Sequence, residues 1–147
     1  MLVEAPSVLI TDDDRDFREA LRDVLEPFGF RAILAGDGEQ AVQIVRSQEI
    51  HLLLLDMHMP RLTGLETIRL VKQLKAFLPC ILISAALDEP LIQQAEQAQA
   101  FSVLAKPVTR QQLTATVARA MTRTYGDWRR SLPLHRFGGQ HRGGPTG

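Results

Sequence analysis

Short apolar runs alternate along the chain with stretches in which apolar residues recur at helical spacing, and the alternation repeats about five times. The apolar runs predict five strands, at residues 8–10, 30–35, 52–55, 80–83 and 103–105. The periodic stretches predict a helix after each strand, and Pro27 and Gly29 are expected to end the first helix. Because strands that alternate with helices form βαβ units, we expect a parallel sheet with helices on both faces.

Composition divides the chain into one folded domain, residues 1–125, and a C-terminal tail, residues 126–147. The whole chain of 147 residues is long enough for a single domain with a proper core. From Gly126 onward it carries six glycines and four arginines against one acidic residue. This composition is typical of a flexible segment, so we expect a flexible basic tail.

Charge and cysteine content narrow the class of protein. The formal net charge is +0 and 45% of the residues are hydrophobic, as in ordinary soluble domains. No apolar run is long enough to span a bilayer, so no membrane partner is expected. The single cysteine, Cys80, cannot form an intrachain disulfide, which agrees with a cytoplasmic location. The tail has neither the length nor the periodicity of a helix-turn-helix module, so direct sequence-specific DNA binding is not expected.

Polar residues follow four of the five predicted strands. Asp12 and Asp13 come after the first strand, Asp56 ends the third, Ser84 ends the fourth and Lys106 follows the fifth. In a parallel sheet the carboxyl ends of the strands lie at one edge, where ligands bind. We therefore expect these side chains to form one site.

The chemistry of these residue types indicates phosphoryl transfer. Crowded carboxylates repel one another unless a cation lies between them, and Mg²⁺ prefers such hard oxygen ligands. A carboxylate beside the metal, Asp56, can act as a nucleophile and form an aspartyl phosphate. Lys106 and Ser84 offer the cation and the hydroxyl that the oxygens of a transferring phosphoryl group need.

Four segments together resemble the signature segments of response-regulator receiver domains. They are VLITDDDRDFREAL, LLLLDMHMPRLTGLE, ILISA and LAKPV, and the resemblance covers residues 7–124. It implies an α/β fold with a single doubly wound, five-stranded parallel sheet of the flavodoxin type. The implied strand order is 2-1-3-4-5, with helices on both faces.

The resemblance also implies a role for each matching residue. Asp56 matches the phospho-acceptor, and Asp13 matches the direct Mg²⁺ ligand. Asp12 matches the acidic neighbour that acts through a metal-bound water, and the backbone carbonyl of His58 matches a further metal ligand. The metal site so implied comprises Asp12, Asp13, Asp56 and the His58 carbonyl.

The remaining matches concern the response to phosphorylation. Ser84 matches the hydroxyl that moves toward the phosphoryl group, and Lys106 matches the lysine that grips a phosphoryl oxygen. The bond between Lys106 and Pro107 is implied to be cis. Pro60 and Gly64 match the loop that follows the acceptor.

Two positions depart from the family pattern. Val103 stands where receivers usually carry a tyrosine or phenylalanine that reports phosphorylation. Phe101 lies two residues earlier, and on a strand it would point to the same face as Val103, so whether it substitutes is left open. Gln99 replaces a glycine that commonly precedes this strand. These departures affect the readout rather than the phosphorylation chemistry.

Three functions compete. The leading one is a protein-interaction switch phosphorylated by a sensor histidine kinase or a phosphotransfer protein, which is not an enzyme in the turnover sense. The alternative is an interaction scaffold of the same fold that works without phosphorylation. A phosphatase is disfavoured, because His58 occupies the place of the second acid expected in that class. A zinc site is also disfavoured, since His51 and His58 lie at opposite ends of one strand. Homodimerisation, the pathway and the downstream partner are left open.

Overall fold

The computed structural model describes residues 5–131 of the chain, with side chains through Arg129. Within these residues, five strands and five α-helices alternate, followed by a short 3₁₀ helix at Trp128–Ser131. The strands are β1 (Ser7–Thr11), β2 (Arg31–Ala35), β3 (Leu52–Asp56), β4 (Cys80–Ser84) and β5 (Ser102–Ala105). The helices are α1 (Arg15–Phe28), α2 (Gly38–Ser47), α3 (Gly64–Leu74), α4 (Glu89–Gln97) and α5 (Arg110–Tyr125).

The five strands form one parallel sheet in the order β2-β1-β3-β4-β5. This confirms the predicted doubly wound α/β fold and its strand order. The chain reverses its direction of travel across the sheet after β2, when it passes from one side of β1 to the other. The carboxyl ends of β1 and β3 meet next to this reversal, which is where ligands bind in open sheets of this kind.

The central strands divide their side chains between two hydrophobic cores. Leu52 and Leu54 of β3 face a core shared with α1 and α5, while Leu53 and Leu55 face a core shared with α2, α3 and α4. Successive side chains of a strand point to opposite faces, so a strand with helices on both sides is apolar throughout. Burial on both faces holds β3 rigidly, and β3 ends at Asp56.

The first helix differs from the sequence prediction at its end. Pro27 lies inside the last turn of α1, and the helix ends at Phe28. A proline near the end of a helix removes only one backbone hydrogen bond, so the turn persists. Gly29 ends the helix with φ of 120°, a conformation that glycine adopts without strain.

The C-terminal end of the folded domain lies beyond the predicted boundary at residue 125. Trp128 is buried, and its ring lies 5.4 Å from that of Phe30 and 6.2 Å from that of Phe28, measured between centroids. The guanidinium of Arg129 lies 4.2 Å from the Phe28 ring centroid. The prediction of a flexible tail from residue 126 is therefore wrong for 126–131, because aromatic burial holds that segment on the domain. The rest of the predicted tail, 132–147, lies outside the described residues.

Across residues 5–131, none of the helices combines the length and the apolar character that crossing a membrane requires.

Candidate functional site

Three aspartates converge at the carboxyl ends of the two central strands. Asp56 is the last residue of β3, and Asp12 and Asp13 directly follow the neighbouring strand β1. Each places a carboxylate oxygen within 4.8 Å of the others. Asp12 is 1% exposed and Asp56 is 6% exposed, whereas Asp13 is open to solvent. The sheet therefore brings two buried carboxylates and one accessible carboxylate to one point, as the sequence predicts.

Lys106 reaches this cluster from the loop after β5, two strands away from β3. Its Nζ lies 3.3 Å from Oδ2 of Asp12 and 3.3 Å from Oδ1 of Asp56. The backbone N–H of Lys106 donates to the carbonyl of Ser84, and the Lys106–Pro107 peptide is cis, as the family resemblance implies. The ammonium group thus bridges the two buried carboxylates.

The local environment shifts the proton affinity of both partners. Burial raises the pKa of Asp12 above its ordinary 3.8, and the charge of Asp56 adds to this. The N–H of Asp14 and the ammonium of Lys106 act in the opposite direction on the pKa of Asp12 and offset only part of the rise. For Lys106, burial lowers the pKa, but the charges of Asp12 and Asp56 outweigh it and raise the pKa overall. The lysine stays charged, and the cluster retains an excess of negative charge.

That excess fits a divalent cation. Three carboxylates carry a formal charge of −3 and Lys106 contributes +1, which leaves −2 when all of them are ionised. Their oxygens are the hard ligands that Mg²⁺ prefers, and Mg²⁺ retains waters where the protein offers few ligands. Asp12, Asp13 and Asp56 are the residues that would hold it.

Ser84 and His58 lie at the same edge of the sheet but differ in exposure. Ser84, the last residue of β4, is fully buried, and its Oγ accepts a hydrogen bond of 3.0 Å from the N–H of Ala86. His58 is exposed on the loop after β3, and the metal role of its carbonyl stays a prediction. His51 lies at the other end of β3, where its Nδ1 accepts a hydrogen bond from the N–H of Ser7. The two histidines therefore do not share a site.

Gly64 shapes the loop behind Asp56. A β-carbon added there would lie 2.5 Å from the carbonyl oxygen of Asp56 and 2.9 Å from Cα of Met57. No side chain fits that space, so α3 can begin directly behind Asp56 only with glycine at this position. Thr63 and Glu66 complete the start of α3 as a capping box.

Two further residues contact the site in ways that the sequence did not indicate. The ring of Phe17 lies under Lys106, with Nζ 4.2 Å from the ring centroid. A terminal nitrogen of Arg18 donates a hydrogen bond of 2.6 Å to the backbone carbonyl of Asp12. Phe17 belongs to the apolar stripe of α1, which predicts only that it faces the core. No sequence signal distinguishes it from the other core residues of that stripe.

The expected relation between Phe101 and Val103 is wrong. Phe101 packs against the core on the side of α1 and α5, whereas Val103 packs against the opposite core. Strand alternation does not apply, because β5 begins only at Ser102. Gln99, three residues before β5, has φ of 66°, the left-handed conformation that favours glycine. Phe101 is therefore not placed to substitute for an aromatic residue at position 103.

Residues 8–118 match the family model described as the response regulator receiver domain. The chain belongs to this family. A receiver domain of this kind is a component of two-component signalling, and the acidic cluster lies at the position where the resemblance expects the metal and acceptor residues.

Known relatives agree with this assignment. The receiver domain is 37% identical over 122 residues to the probable chemotaxis protein CheY of Rhizobium etli, covering 79% of this chain and 92% of that protein. A response regulator receiver protein from Pseudomonas putida has a similar structure, with a TM-score of 0.75, 29% identity and coverage of 80% and 99%. The structure of the CheX–CheY–BeF3–Mg complex from Borrelia burgdorferi is also similar, with a TM-score of 0.76, 27% identity and coverage of 79% of this chain and 89% of that chain.

Other relatives are longer. The chain covers 50% of the transcriptional regulatory protein CpxR of Escherichia coli and 25% of the regulatory protein DctD of Rhizobium meliloti. The similarity to these regulators concerns their receiver part.

Proposed function

We propose that this receiver domain is a phosphorylation-driven switch that accepts a phosphoryl group on Asp56 in an Mg²⁺-dependent reaction. The observation that carries the proposal is the bridging of Asp12 and Asp56 by Lys106, with a 3.3 Å contact to each carboxylate. A purely structural sheet edge has no need for two buried carboxylates, since burying charge is costly unless it serves a site.

The chemistry is a displacement at phosphorus. An oxygen of the Asp56 carboxylate forms a bond to the phosphorus atom, and the bond from phosphorus to the donor's leaving atom breaks. The electron pair of that bond leaves with the donor, which is the histidine imidazole of a kinase or the acetate of acetyl phosphate. Lys106 keeps its proton and offsets negative charge on a phosphoryl oxygen. Bound Mg²⁺ would supply further neutralisation of the phosphoryl oxygens.

The donor proposed for the cell is a sensor histidine kinase or a phosphotransfer protein. The B. burgdorferi relative, a CheY in complex with CheX, BeF3 and Mg, supports the choice of metal and of a phosphoryl-mimicking ligand. The domain is proposed to catalyse its own phosphorylation without turning over a substrate. A cytoplasmic location is proposed as well, in agreement with a single reduced and buried thiol at Cys80.

The test uses the full chain with acetyl phosphate, with and without Mg²⁺, followed by intact-mass measurement. We expect one added phosphoryl group in the presence of Mg²⁺ and none after chelation. The variant Asp56→Asn keeps the shape of the side chain but loses the nucleophile, so it should gain nothing. An adduct of equal yield on Asp56→Asn would overturn the assignment.

A scaffold that works without phosphorylation is the second candidate. It is favoured by Val103, which has no ring to report the phosphorylated state, and by the position of Phe101 on the opposite core. The same mass measurement separates the candidates, since a scaffold predicts that the wild-type chain remains unmodified.

A further inference from the structure

The ammonium group of Lys106 is contacted on a third side by an aromatic ring. Nζ lies 4.2 Å from the centroid of the Phe17 ring, in addition to its two contacts at 3.3 Å with Asp12 and Asp56. A cation above a ring face within about 6 Å is attracted by the negative face of the π system. The lysine is therefore held by two carboxylates and one ring.

The position of Phe17 is fixed to the acidic loop through the start of α1. Asp14 caps the helix, and its carboxylate accepts hydrogen bonds from the N–H groups of Asp16 and Phe17. The N–H of Asp14 in turn donates to Oδ1 of Asp12, at 2.8 Å. The same short segment therefore carries Asp12 and places the ring beneath the lysine. Phe17 also packs against the core that the sheet shares with α1 and α5.

An aromatic ring stabilises the ammonium group in a different way from a third carboxylate. It attracts the charge but has no strong acceptor that would compete with a phosphoryl oxygen for the N–H donors. It also limits the positions open to a long, flexible side chain that is still 24% exposed. An aliphatic residue of similar size would fill the space without the attraction.

We propose that Phe17 is a positioning residue for Lys106: its ring face holds the ammonium beside Asp56, where the phosphoryl oxygens are to be bound. This inference rests on the proposed function of Asp56. It assigns a role in the reaction rate to a residue that the sequence pattern describes only as core.

The test compares the initial rate of phosphorylation by acetyl phosphate at saturating Mg²⁺. The attraction of a partly exposed cation to a ring corresponds to roughly 0.5–2 kcal/mol, so Phe17→Leu should slow the reaction about twofold to thirtyfold. Phe17→Tyr retains the ring face and should react at close to the wild-type rate. Phe28→Leu is the matched control, since Phe28 lies at the far end of the same helix, and its rate should equal that of the wild type.

A double-mutant cycle identifies the partner. In a Lys106→Met background, Phe17→Leu should cause no further slowing, because there is no ammonium for the ring to hold. If the loss persists in that background, Phe17 acts through general packing and the inference is wrong. If Phe17→Leu does not fold, pentafluorophenylalanine at position 17 replaces it, since it keeps the ring shape and removes the negative face.

A second readout needs neither metal nor phosphorylation. Protons above a ring face resonate upfield, so the ε-methylene signals of Lys106 should move downfield in Phe17→Leu and keep their position in Phe28→Leu. Unchanged signals in Phe17→Leu would contradict the contact itself. Failure of wild-type phosphorylation would instead count against the proposed function, and a normal rate in Phe17→Leu would overturn only this inference.

Discussion

Removing the charge of Lys106 should destabilise the metal-free protein. Lys106→Met keeps most of the length of the side chain but deletes the cation that bridges Asp12 and Asp56. Each contact, at 3.3 Å, corresponds to a Coulomb energy of about 5 kcal/mol at an effective dielectric constant of 20, before desolvation is subtracted. Because the lysine side chain is 24% exposed and its own desolvation is recovered on removal, we expect a net loss of about 1–3 kcal/mol in the free energy of unfolding.

Magnesium should reduce this loss. In the variant the two buried carboxylates lack a counter-charge, and a divalent cation can provide it. Mg²⁺ binding stabilises the folded state of both proteins, by about 2.7 kcal/mol at a free concentration of 100 times the dissociation constant, so the deficit shrinks only by the difference in their binding free energies. The variant should bind Mg²⁺ more tightly than the wild type, because Lys106 no longer competes with the metal for the same oxygens, and each tenfold gain in affinity would reduce the deficit by about 1.4 kcal/mol at saturating Mg²⁺.

The loss of stability caused by Lys106→Met should also be smaller at acidic pH. The pKa of Asp12 is raised on folding, so its protonation stabilises the folded state fully below the ordinary value of 3.8. That contribution is lost as the pH rises through the raised folded-state pKa. Around neutral pH the carboxylate is ionised and needs Lys106 most, whereas at low pH a protonated Asp12 needs no counter-charge.

The assay is urea denaturation of wild type and variant, with chelator and with Mg²⁺, at neutral and at acidic pH. Lys75→Met is the control, since Lys75 is an exposed lysine remote from the site, and its effect should stay within about 0.5 kcal/mol. A metal-free Lys106→Met as stable as the wild type at neutral pH would refute the bridging role of the lysine. If Mg²⁺ leaves the stability difference between Lys106→Met and the wild type unchanged, the claim that Lys106 and Mg²⁺ compete for the same carboxylate oxygens is wrong.

Three further outcomes are expected. In magnesium titrations Asp13→Ala should lose more affinity than Asp12→Ala, and equal small losses would contradict the assigned ligand roles. Val103→Ala should lower stability but leave the hydrogen-exchange response to beryllofluoride in residues 85–99 intact; loss of that response would give Val103 a part in the readout. Trp128→Ala should lower the free energy of unfolding by about 1–3 kcal/mol, measured by urea denaturation. This is less than for a tryptophan in the centre of a core, because the short terminal segment can detach. An unchanged urea midpoint would show that this segment adds no stability.

The fold and the acidic cluster could be predicted from the sequence because each depends on local pattern. Strands buried on both faces leave uninterrupted apolar runs, as in Leu52 to Leu55, and the residue that follows each run lies at the sheet edge. The parallel sheet then brings Asp12, Asp56 and Lys106 together without any detail of packing.

The features that could not be predicted depend on packing between distant segments. A periodic stripe predicts that Phe17 is partly buried but not that its face meets an ammonium from the far end of the chain. The average composition of residues 126–147 does not indicate that Trp128 is buried, because its burial depends on contacts with the rings of Phe28 and Phe30. Strand alternation does not apply to Phe101, because β5 starts one residue after it.

The most direct test of the central claim locates the phosphoryl group within the chain. The protein is treated with acetyl phosphate and Mg²⁺, then reduced with borohydride, which converts an aspartyl phosphate to homoserine, and its peptides are sequenced by mass spectrometry. We expect homoserine at position 56, with Asp12 and Asp13 unmodified, and no homoserine when Mg²⁺ is chelated. Homoserine at position 12 or 13 in place of 56, or a chain that remains unmodified under all conditions, would contradict the account.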